Sequence, residues 1–520
     1  MKKILNKKLE ALSTFAICIF TLPTLLPLLH KGFFLSDDGE WMVIRLTAFF
    51  EALRHGQFPV RYLLRLNNEF GYPLSNFAYP GFLYIGSIIH LFRFGFIDSI
   101  KIIIFLSLFL GSIFTFLFLK KRFKTLPAIV GSIIYLYTPY HLFDLYRRGS
   151  VGELLSISII PFLFWQIERK NNTLLALGIF GLILSHNIIA FISLPFVFLY
   201  TVLVNWKNIG DKKKWFDIFW PYFVGVLLSA FFFIPAVYDL RYIVFSGLKI
   251  ADWHAFFADI SILGISSILI LVISIFIILK KDKDQRAIFF VIVSLFSIFM
   301  GTKISTPVWN VIPASFILFP FRFLSILPIG LSFLAAFFVS KFKNNLKIIF
   351  AVLLVTICFY STSAFLTPIR YLDREDNYYL NNFATTTADN EYMPKWVKVT
   401  PMDIPSKRIE VSKGNAVIDS DLLNSEKITF ASNSSDAAII KVNAIYFPGW
   451  KAFIDGVSTV INYQNPNGAM EINVPSGSHV ITLKYEETGA HLISDLISLI
   501  GFILLGILFI RDWKYGSKNN

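Results

Sequence analysis

Long apolar runs separated by short clusters of Lys and Arg dominate the first 365 residues of this chain. Most runs approach the ~20 residues that a helix needs to cross a bilayer. The first, at about 11 to 30, follows a basic start with Lys2, Lys3, Lys7 and Lys8. It is as long as a spanning helix and no small-residue cleavage site follows, so it is expected to be a retained span and not a signal peptide. If that start is cytoplasmic, the crossings run at 98–119, 126–143, 153–167, 172–185, 188–205, 216–236, 260–279, 287–300, 323–340, 346–365 and 491–510. Every basic cluster then falls inside, as the positive-inside bias requires, provided that YPGFLYIGSIIHLFRFGF (78–95) stays in the outer interface. Twelve spans with both ends cytoplasmic are therefore expected. Between the first two, residues 38–55 carry Met42, Val43, Leu46, Phe49, Phe50 and Leu53 on one arc and Glu40, Thr47, Glu51, Arg54 and His55 on the other. That spacing predicts an amphipathic helix on the outer membrane surface.

From 366 to 490 the pattern changes to period two. IIKVNAIYF, KAFIDG, STVINYQ, AMEINV and HVITLKY alternate apolar and polar positions between Pro, Gly and Asn breaks. A small extracytoplasmic β-sandwich is predicted there. The organisation is thus an all-α polytopic membrane domain (1–365) with an outer loop and surface helix at 32–97, a β-rich domain (366–490), and a final span with a basic tail (491–520).

Composition agrees. With 55% hydrophobic residues, 57 Phe and only 16% charged residues, the chain has too little polar surface to cover a water-soluble globule of its size. The net charge of +14 sits in short inter-span clusters, which is the signature of membrane orientation and calls for no nucleic-acid partner. Cys18 and Cys358 each lie inside an apolar run, so they build neither a disulfide framework nor a metal knuckle.

The predicted outer face collects the unusual residues. Asp37 and Asp38 stand in FFLSDDGEW, directly after the first span; RRGSVGELL (147–155) holds Arg147, Arg148 and Glu153; His186 lies in the turn LSHN, and Arg322 in LFPFRFL. Ionisable groups at membrane depth are costly and mark sites when they share a cavity. Each also has a structural reading. Asp37 with Glu40 fits a capping box that starts the surface helix, and Asp38 fits a cap or a solvated loop. The two arginines fit side chains that reach for lipid headgroups, although a double Arg outside runs against the charge bias. His186 fits a polar turn residue and Arg322 an interhelical donor. Asp239, Asp252 and His254 read as ordinary loop residues.

Several of these stretches carry a resemblance. Asp38, Trp41 and Arg45, with GQFPVRY (56–62), FGYPLSNFAYP (70–80), YTPYHLFDLYRRGSVGE (137–153), LSHN (184–187) and LFPFRFL (318–324), resemble the membrane family labelled 6-pyruvoyl-tetrahydropterin synthase-related. PGWKAFIDG (448–456) and VPSGSHVITLKY (474–485) resemble the terminal β-domain of YfhO-type membrane proteins. The pterin chemistry in the label does not carry over, because that enzyme needs a His-x-His zinc site and none of the eight His here has that spacing.

The plan is also similar to the GT-C glycosyltransferases, which transfer sugars from polyprenyl-phosphate donors on the outer side of a membrane. That resemblance implies an enzyme of the cell membrane whose partners are the bilayer, a lipid-phosphate sugar and a glycan or other envelope acceptor. It implies Asp38 as base or ligand of a divalent cation (Mg or Mn), with Asp37 beside it and Glu153 as a third catalytic carboxylate. Arg147 and Arg148 are the expected phosphate clamp, since guanidinium matches phosphate oxygens. Arg45, Tyr79, His186 and Arg322 are the expected remainder of the substrate rim. One position departs from the family pattern: Met42 stands where a His is often found, four residues after Asp38. Two other classes stay open, a transporter and a non-catalytic protein that binds lipid-linked glycan. The sequence shows no interrupted helices at matching positions in two halves, the usual pointer to a transporter site.

Overall fold

The computed structural model describes residues 2–208, 211–247, 253–280, 283–311, 315–424 and 426–518; Asp252 lies outside them. Among the described residues, six helices are long and apolar enough to cross a membrane: Phe96–Lys120, Val151–Arg169, Asn187–Val204, Pro320–Ser340, Asn344–Phe365 and Gly489–Lys514. Three more crossings are available if each bent pair counts as one span. These pairs are Asp217–Leu228 with Ala230–Tyr242 (64°), His254–Leu263 with Ile265–Lys280 (73°), and Gln285–Gly301 with Lys303–Val311 (76°).

Length and composition thus support six spans among the described residues, or up to nine with the bent pairs, where twelve were expected. Of the other three expected crossings, the first lies on helix Lys2–Leu25 and the short turn Leu26–Leu29 that follows it, and the others correspond to shorter apolar helices at Thr125–Leu136 and Asn172–Ser185. The fourteen residues of Asn172–Ser185 rise about 21 Å, less than the ~30 Å hydrocarbon core. Gly81–Leu91, eleven residues, rises only about 16 Å. It fits the expectation that 78–95 does not cross. Interrupted helices do exist among the described residues, but all three fall between 217 and 311 and form no pair across two halves, in keeping with the sequence reading.

The helix at Gly39–Arg54 corrects a second expectation. Residues 42–49 are buried without a break, Thr47 and Arg45 included, so the helix is covered on both faces and does not float at an interface. Its apolar arc packs on the membrane helices, while Glu40, Arg45 and Thr47 are covered by a strap formed by residues 366–401, and Arg54 and His55 at its end stay exposed. Arg374 Nη1 donates to Glu40 Oε1 at 2.7 Å and the Tyr379 hydroxyl donates to the same oxygen at 3.0 Å. Arg45 Nε donates to Thr386 Oγ1 at 3.0 Å.

Ten short strands stand among the described residues. β1 (Phe33–Phe34) and β2 (Tyr371–Leu372) pair antiparallel and tie the loop after the first helix to the strap. The remaining strands are β3 (Ile409–Lys413), β4 (Ala416–Leu423), β5 (Lys427–Ser434), β6 (Ala438–Ile445), β7 (Trp450–Ile454), β8 (Val457–Thr459), β9 (Ala469–Val474) and β10 (Gly477–Tyr485). They form a five-stranded sheet, β4-β5-β10-β7-β8, and a three-stranded sheet, β3-β6-β9, every pairing antiparallel. The inward residues of both sheets, among them Phe430, Ile440, Val442, Ile472, Ile481 and Leu483, share one buried cluster, which is the sandwich expected from the period-two pattern. Tyr62 anchors this domain to the membrane part. Its buried hydroxyl lies 2.7 Å from the Ile445 carbonyl and 3.1 Å from that of Phe70, and its ring stacks on Tyr485.

Candidate functional site

Five separate stretches meet at the end of the bundle from which the loop after the first helix emerges. Thr125–Leu136 stops before Pro139; one further short helix and a single π-helical turn, Asp144–Arg148, follow, and Gly149 (φ 67°) ends them. Helix Val151–Arg169 then begins, placing Glu153 in its first turn. Glu153 is fully buried and acts as a hub. Its Oε2 accepts from Arg148 Nη1 at 2.7 Å, its Oε1 accepts from the Tyr140 hydroxyl, Arg322 Nε lies 3.5 Å away and His186 Nε2 4.0 Å. Arg148 Nη1 also donates to Asp144 Oδ1 at 2.9 Å. Two guanidinium groups thus face two fully buried carboxylates, and the cluster balances its own charge, as buried ions must. Phe319 and Phe321 lie against the guanidinium groups and exclude water: Arg148 is 4.8 Å from the Phe321 centroid and Arg322 4.7 Å from that of Phe319.

Asp38 approaches this cluster from the loop that precedes helix Gly39–Arg54. The Asp37 N–H donates to the Arg147 carbonyl at 2.9 Å and the Asp38 N–H to that of Arg148 at 2.7 Å. Gly149 permits the approach. A Cβ there would sit 2.7 Å from Gly39 N and 2.8 Å from Gly39 Cα. The Asp38 carboxylate is then 3.9 Å from Arg148 Nη2 and 28% exposed, the partly open member of an otherwise closed set. The capping-box reading of Asp37 is overturned: Ser36 Oγ accepts from the Gly39 N–H at 3.2 Å, and Glu40 is turned to Arg374. Asp37 is left exposed beside Asp38. Partial loss of solvent and the negative charge of Asp38 push its carboxyl above the usual range, opposed by Arg148.

Tyr79 stacks on the His186 ring, with centroids 4.2 Å apart. His186 Nδ1 accepts from the Ile189 N–H at 3.3 Å, so the ring is fixed at the start of helix Asn187–Val204 with Nε2 toward Glu153. Arg45 lies beyond Tyr79, near enough for its charge to act on the Tyr79 hydroxyl. Arg147 does not join. Its guanidinium donates to the Thr367 carbonyl at 2.8 Å and to that of Ala364, and lies 5.6 Å from the Phe365 centroid. It fastens the strap, whereas Arg148 and Arg322 face Glu153.

Three participants escaped the sequence reading. Asp144 and Tyr140 hold Arg148 and Glu153; an Asp four residues before an Arg in a helical turn was the available signal. Glu391, on the strap, has a buried Oε2 with no hydrogen-bond partner and feels the charge of Arg45. Burial pushes its carboxyl up, and nothing local in the sequence marks it. Asp239 is also corrected from loop residue to buried acceptor, taking bonds from Asn76 Nδ2 at 2.7 Å and His491 Nε2 at 2.8 Å. His491 also lies 2.9 Å from Glu487, which with Asp495 pairs Arg61, forming a second buried network behind the β-domain. His254 sits in the short turn Trp253–Phe256, whose Phe256 packs on Phe319 and Phe321.

Among the described residues, no three His, Cys, Asp or Glu side chains gather as a ready-made metal site. Asp37 and Asp38 set two neighbouring carboxylates at the partly open edge of the cluster. That donor set suits Mg²⁺, which commonly takes one or two carboxylates and completes its shell with water and substrate phosphate.

The family model described as "6-pyruvoyl-tetrahydropterin synthase related domain; membrane protein" matches residues 77–367, more than half of the chain. An uncharacterized protein of Lactococcus lactis subsp. cremoris is 25% identical over 241 residues, which cover 43% of this chain and 39% of that protein. Among solved structures, the mycobacterial arabinofuranosyltransferase AftD overlaps 70% of this chain and 27% of its own, at 14% identity and a TM-score of 0.47. The Archaeoglobus fulgidus oligosaccharyltransferase AglB, in complex with an inhibitory peptide and a dolichol-phosphate, overlaps 74% of this chain and 61% of its own, at 13% identity and a TM-score of 0.43. The chain thus spans less than two thirds of the length of each of these proteins.

Proposed function

The chain belongs to the 6-pyruvoyl-tetrahydropterin synthase related membrane protein family, and from that premise we propose that it is an integral membrane glycosyltransferase. In this reading it moves a sugar from a polyprenyl-phosphate donor to an envelope acceptor on the extracytoplasmic face, where the β-domain also lies. The observation that carries it is the placement of a part-exposed Asp38 beside the buried Arg148–Glu153–Arg322 cluster.

The acceptor hydroxyl oxygen forms a bond to the anomeric carbon as the bond from that carbon to the phosphate oxygen breaks. The hydroxyl proton passes to Asp38, and the electron pair leaves with the polyprenyl phosphate. The open edge of Arg148, with Arg322 behind it, meets that developing charge in a site from which aromatic rings exclude water. Glu153, Asp144 and Tyr140 are positioning residues: they hold the guanidinium groups and touch no substrate. Where a divalent cation binds, Asp37 and Asp38 hold it, and it supplies charge neutralisation for the donor phosphate. Displacement at the anomeric carbon from the face opposite the phosphate inverts its configuration.

The test is native mass spectrometry of the wild type and Asp38→Asn with a panel of lipid-linked monosaccharides, followed by turnover. Binding by both forms with turnover by the wild type alone is expected. No binding of any lipid-phosphate sugar by either form would remove the transferase reading and leave transport or glycan binding.

A further inference from the structure

On the outward side of the strap lies an open cleft of about 500 Å³, lined by Asn68, Asn377, Tyr378, Asn381, Asn382 and Phe383. No charged side chain lines it. The lining amides are already partly ordered by one another. Asn381 Nδ2 donates to the Asn377 carbonyl at 2.9 Å and to Asn377 Oδ1 at 3.0 Å; Asn382 Oδ1 accepts from the Ala384 N–H at 3.1 Å; Asn68 Nδ2 donates to the Pro401 carbonyl at 3.1 Å. These bonds engage one end of each amide. Asn68 Oδ1 and Asn381 Oδ1 remain as acceptors, and Asn377 Nδ2 and Asn382 Nδ2 as donors.

The backbone that presents Asn68 is unusual. Asn67, Asn68 and Glu69 all have left-handed φ, at 59°, 53° and 67°. Asn tolerates that region through its short polar side chain, whereas Glu does not. Such runs persist only where their surroundings over-determine them, and here the Asn68 N–H donates to the Phe383 carbonyl at 2.9 Å, locking the turn to the strap. Tyr378 completes the wall, with Arg374 over its ring at 4.2 Å and 43% of its surface exposed.

We propose that this cleft is a docking subsite for a neutral saccharide, the acceptor glycan of the transfer reaction. Paired amide donors and acceptors match adjacent sugar hydroxyls, and an aromatic face matches the C–H face of a pyranose. Arg374, over the Tyr378 ring, is already bonded to Glu40 and no charged side chain lines the cleft, which argues against phosphate or a lipid headgroup. The cleft also belongs to the site's own supports. The strap whose outer side it forms clamps Glu40, two residues after Asp38, through Arg374 and Tyr379. A glycan seated there is held beside the helix that begins at Asp38. Only the word acceptor rests on the transfer reading; saccharide binding stands apart from it.

The experiment is saturation-transfer NMR on the full-length protein in nanodiscs, with maltose, cellobiose, lactose and mannobiose as probes and tetraglycine amide as a neutral peptide control. Wild type, Asp38→Asn, Tyr378→Ala and Asn377→Ala are compared. Both cleft substitutions are at accessible positions, and unchanged thermal unfolding verifies their fold. At least one disaccharide is expected to bind wild type and Asp38→Asn alike, with at least fivefold weaker signal in each cleft variant. No disaccharide signal, a signal that both cleft variants retain, or peptide binding in place of saccharide would overturn the proposal. Turnover by Asp38→Asn would instead strike at the transfer reading and leave the cleft untouched.

Discussion

Gly149→Ala perturbs the one contact on which the site's assembly depends, and the structure contains its own control. Gly149 has φ 67°, and its added Cβ would stand 2.7 Å from Gly39 N, 2.8 Å from Gly39 Cα and 2.3 Å from Ser36 Oγ. Gly456, in the β7–β8 turn, has φ 82°, but nothing lies within 4 Å of its Cβ position. Both alanines carry the conformational cost of a left-handed residue, about 1–2 kcal/mol. Gly149→Ala adds a backbone clash in a packed region, worth roughly a further 1–3 kcal/mol. Relief requires the loop at residues 36–39 to retreat by about 0.5–1 Å, because ordinary contact begins near 3.4 Å. That retreat stretches the bonds from the Asp37 and Asp38 amides to the carbonyls of Arg147 and Arg148, and carries the Asp38 carboxylate away from Arg148. A displacement of that order lowers turnover by roughly 100-fold. Hydrogen exchange over residues 33–40 gives a readout that needs no substrate, and detergent-titration unfolding gives the stability. Gly149→Ala is expected to expose the two Asp amides and lose activity, and Gly456→Ala to do neither. Equal effects of the two substitutions on stability, with residues 33–40 still protected in Gly149→Ala, would refute the reasoning.

Three further outcomes are expected. Glu153→Gln leaves two buried guanidinium groups facing one carboxylate and is expected to cost about 1.5–3 kcal/mol per charge-assisted bond lost; adding Arg322→Gln restores charge balance, so a double-mutant cycle by unfolding in mixed micelles should show a loss well below the sum, and additivity would contradict the hub. The folded-state carboxyl of Asp37 is raised above its ordinary 3.8, so the stability associated with it is present below about that value and lost as pH rises through the folded pKa; Asp37→Asn should therefore match or exceed wild-type melting temperature at pH 7, with the advantage fading on acidification, and an offset independent of pH would rule this out. Tyr62→Phe removes the buried hydroxyl between the carbonyls of Ile445 and Phe70 and should cost about 1 kcal/mol, read as faster limited proteolysis at the junction with the β-domain.

The short-range patterns were legible in the chain itself. Apolar runs near bilayer length, basic clusters between them and alternation from Ile439 onward are local properties, and each appears as membrane-type helix or sandwich strand. Candidate residues could be named for a similar reason: a charge inside or beside an apolar run stands out by its desolvation cost, which is how Asp38, Arg148, Glu153, His186 and Arg322 were found. Their assembly was not legible. Arg147 and Arg148 are neighbours in sequence yet point to different partners, because a π-helical turn ending in a left-handed Gly149 rotates successive side chains apart. Asp144 and Tyr140 became site residues only when that turn brought them onto Glu153.

Long-range contacts decided the remainder. The helix after Asp38 has an amphipathic sequence suited to an interface, but the strap some 330 residues later covers its Glu40, Arg45 and Thr47. Helix length alone gave no guide to the bends of 64° and 73°, which fall inside the runs 216–236 and 260–279 that read as continuous. The sequence by itself therefore determined the membrane class, the sandwich and the identity of the costly charges, since burial energy and backbone period act over a few residues. Which charges meet, and which carboxylate stays open, was decided by tertiary structure, since ion pairing falls off within a few ångströms and depends on where distant segments come to rest.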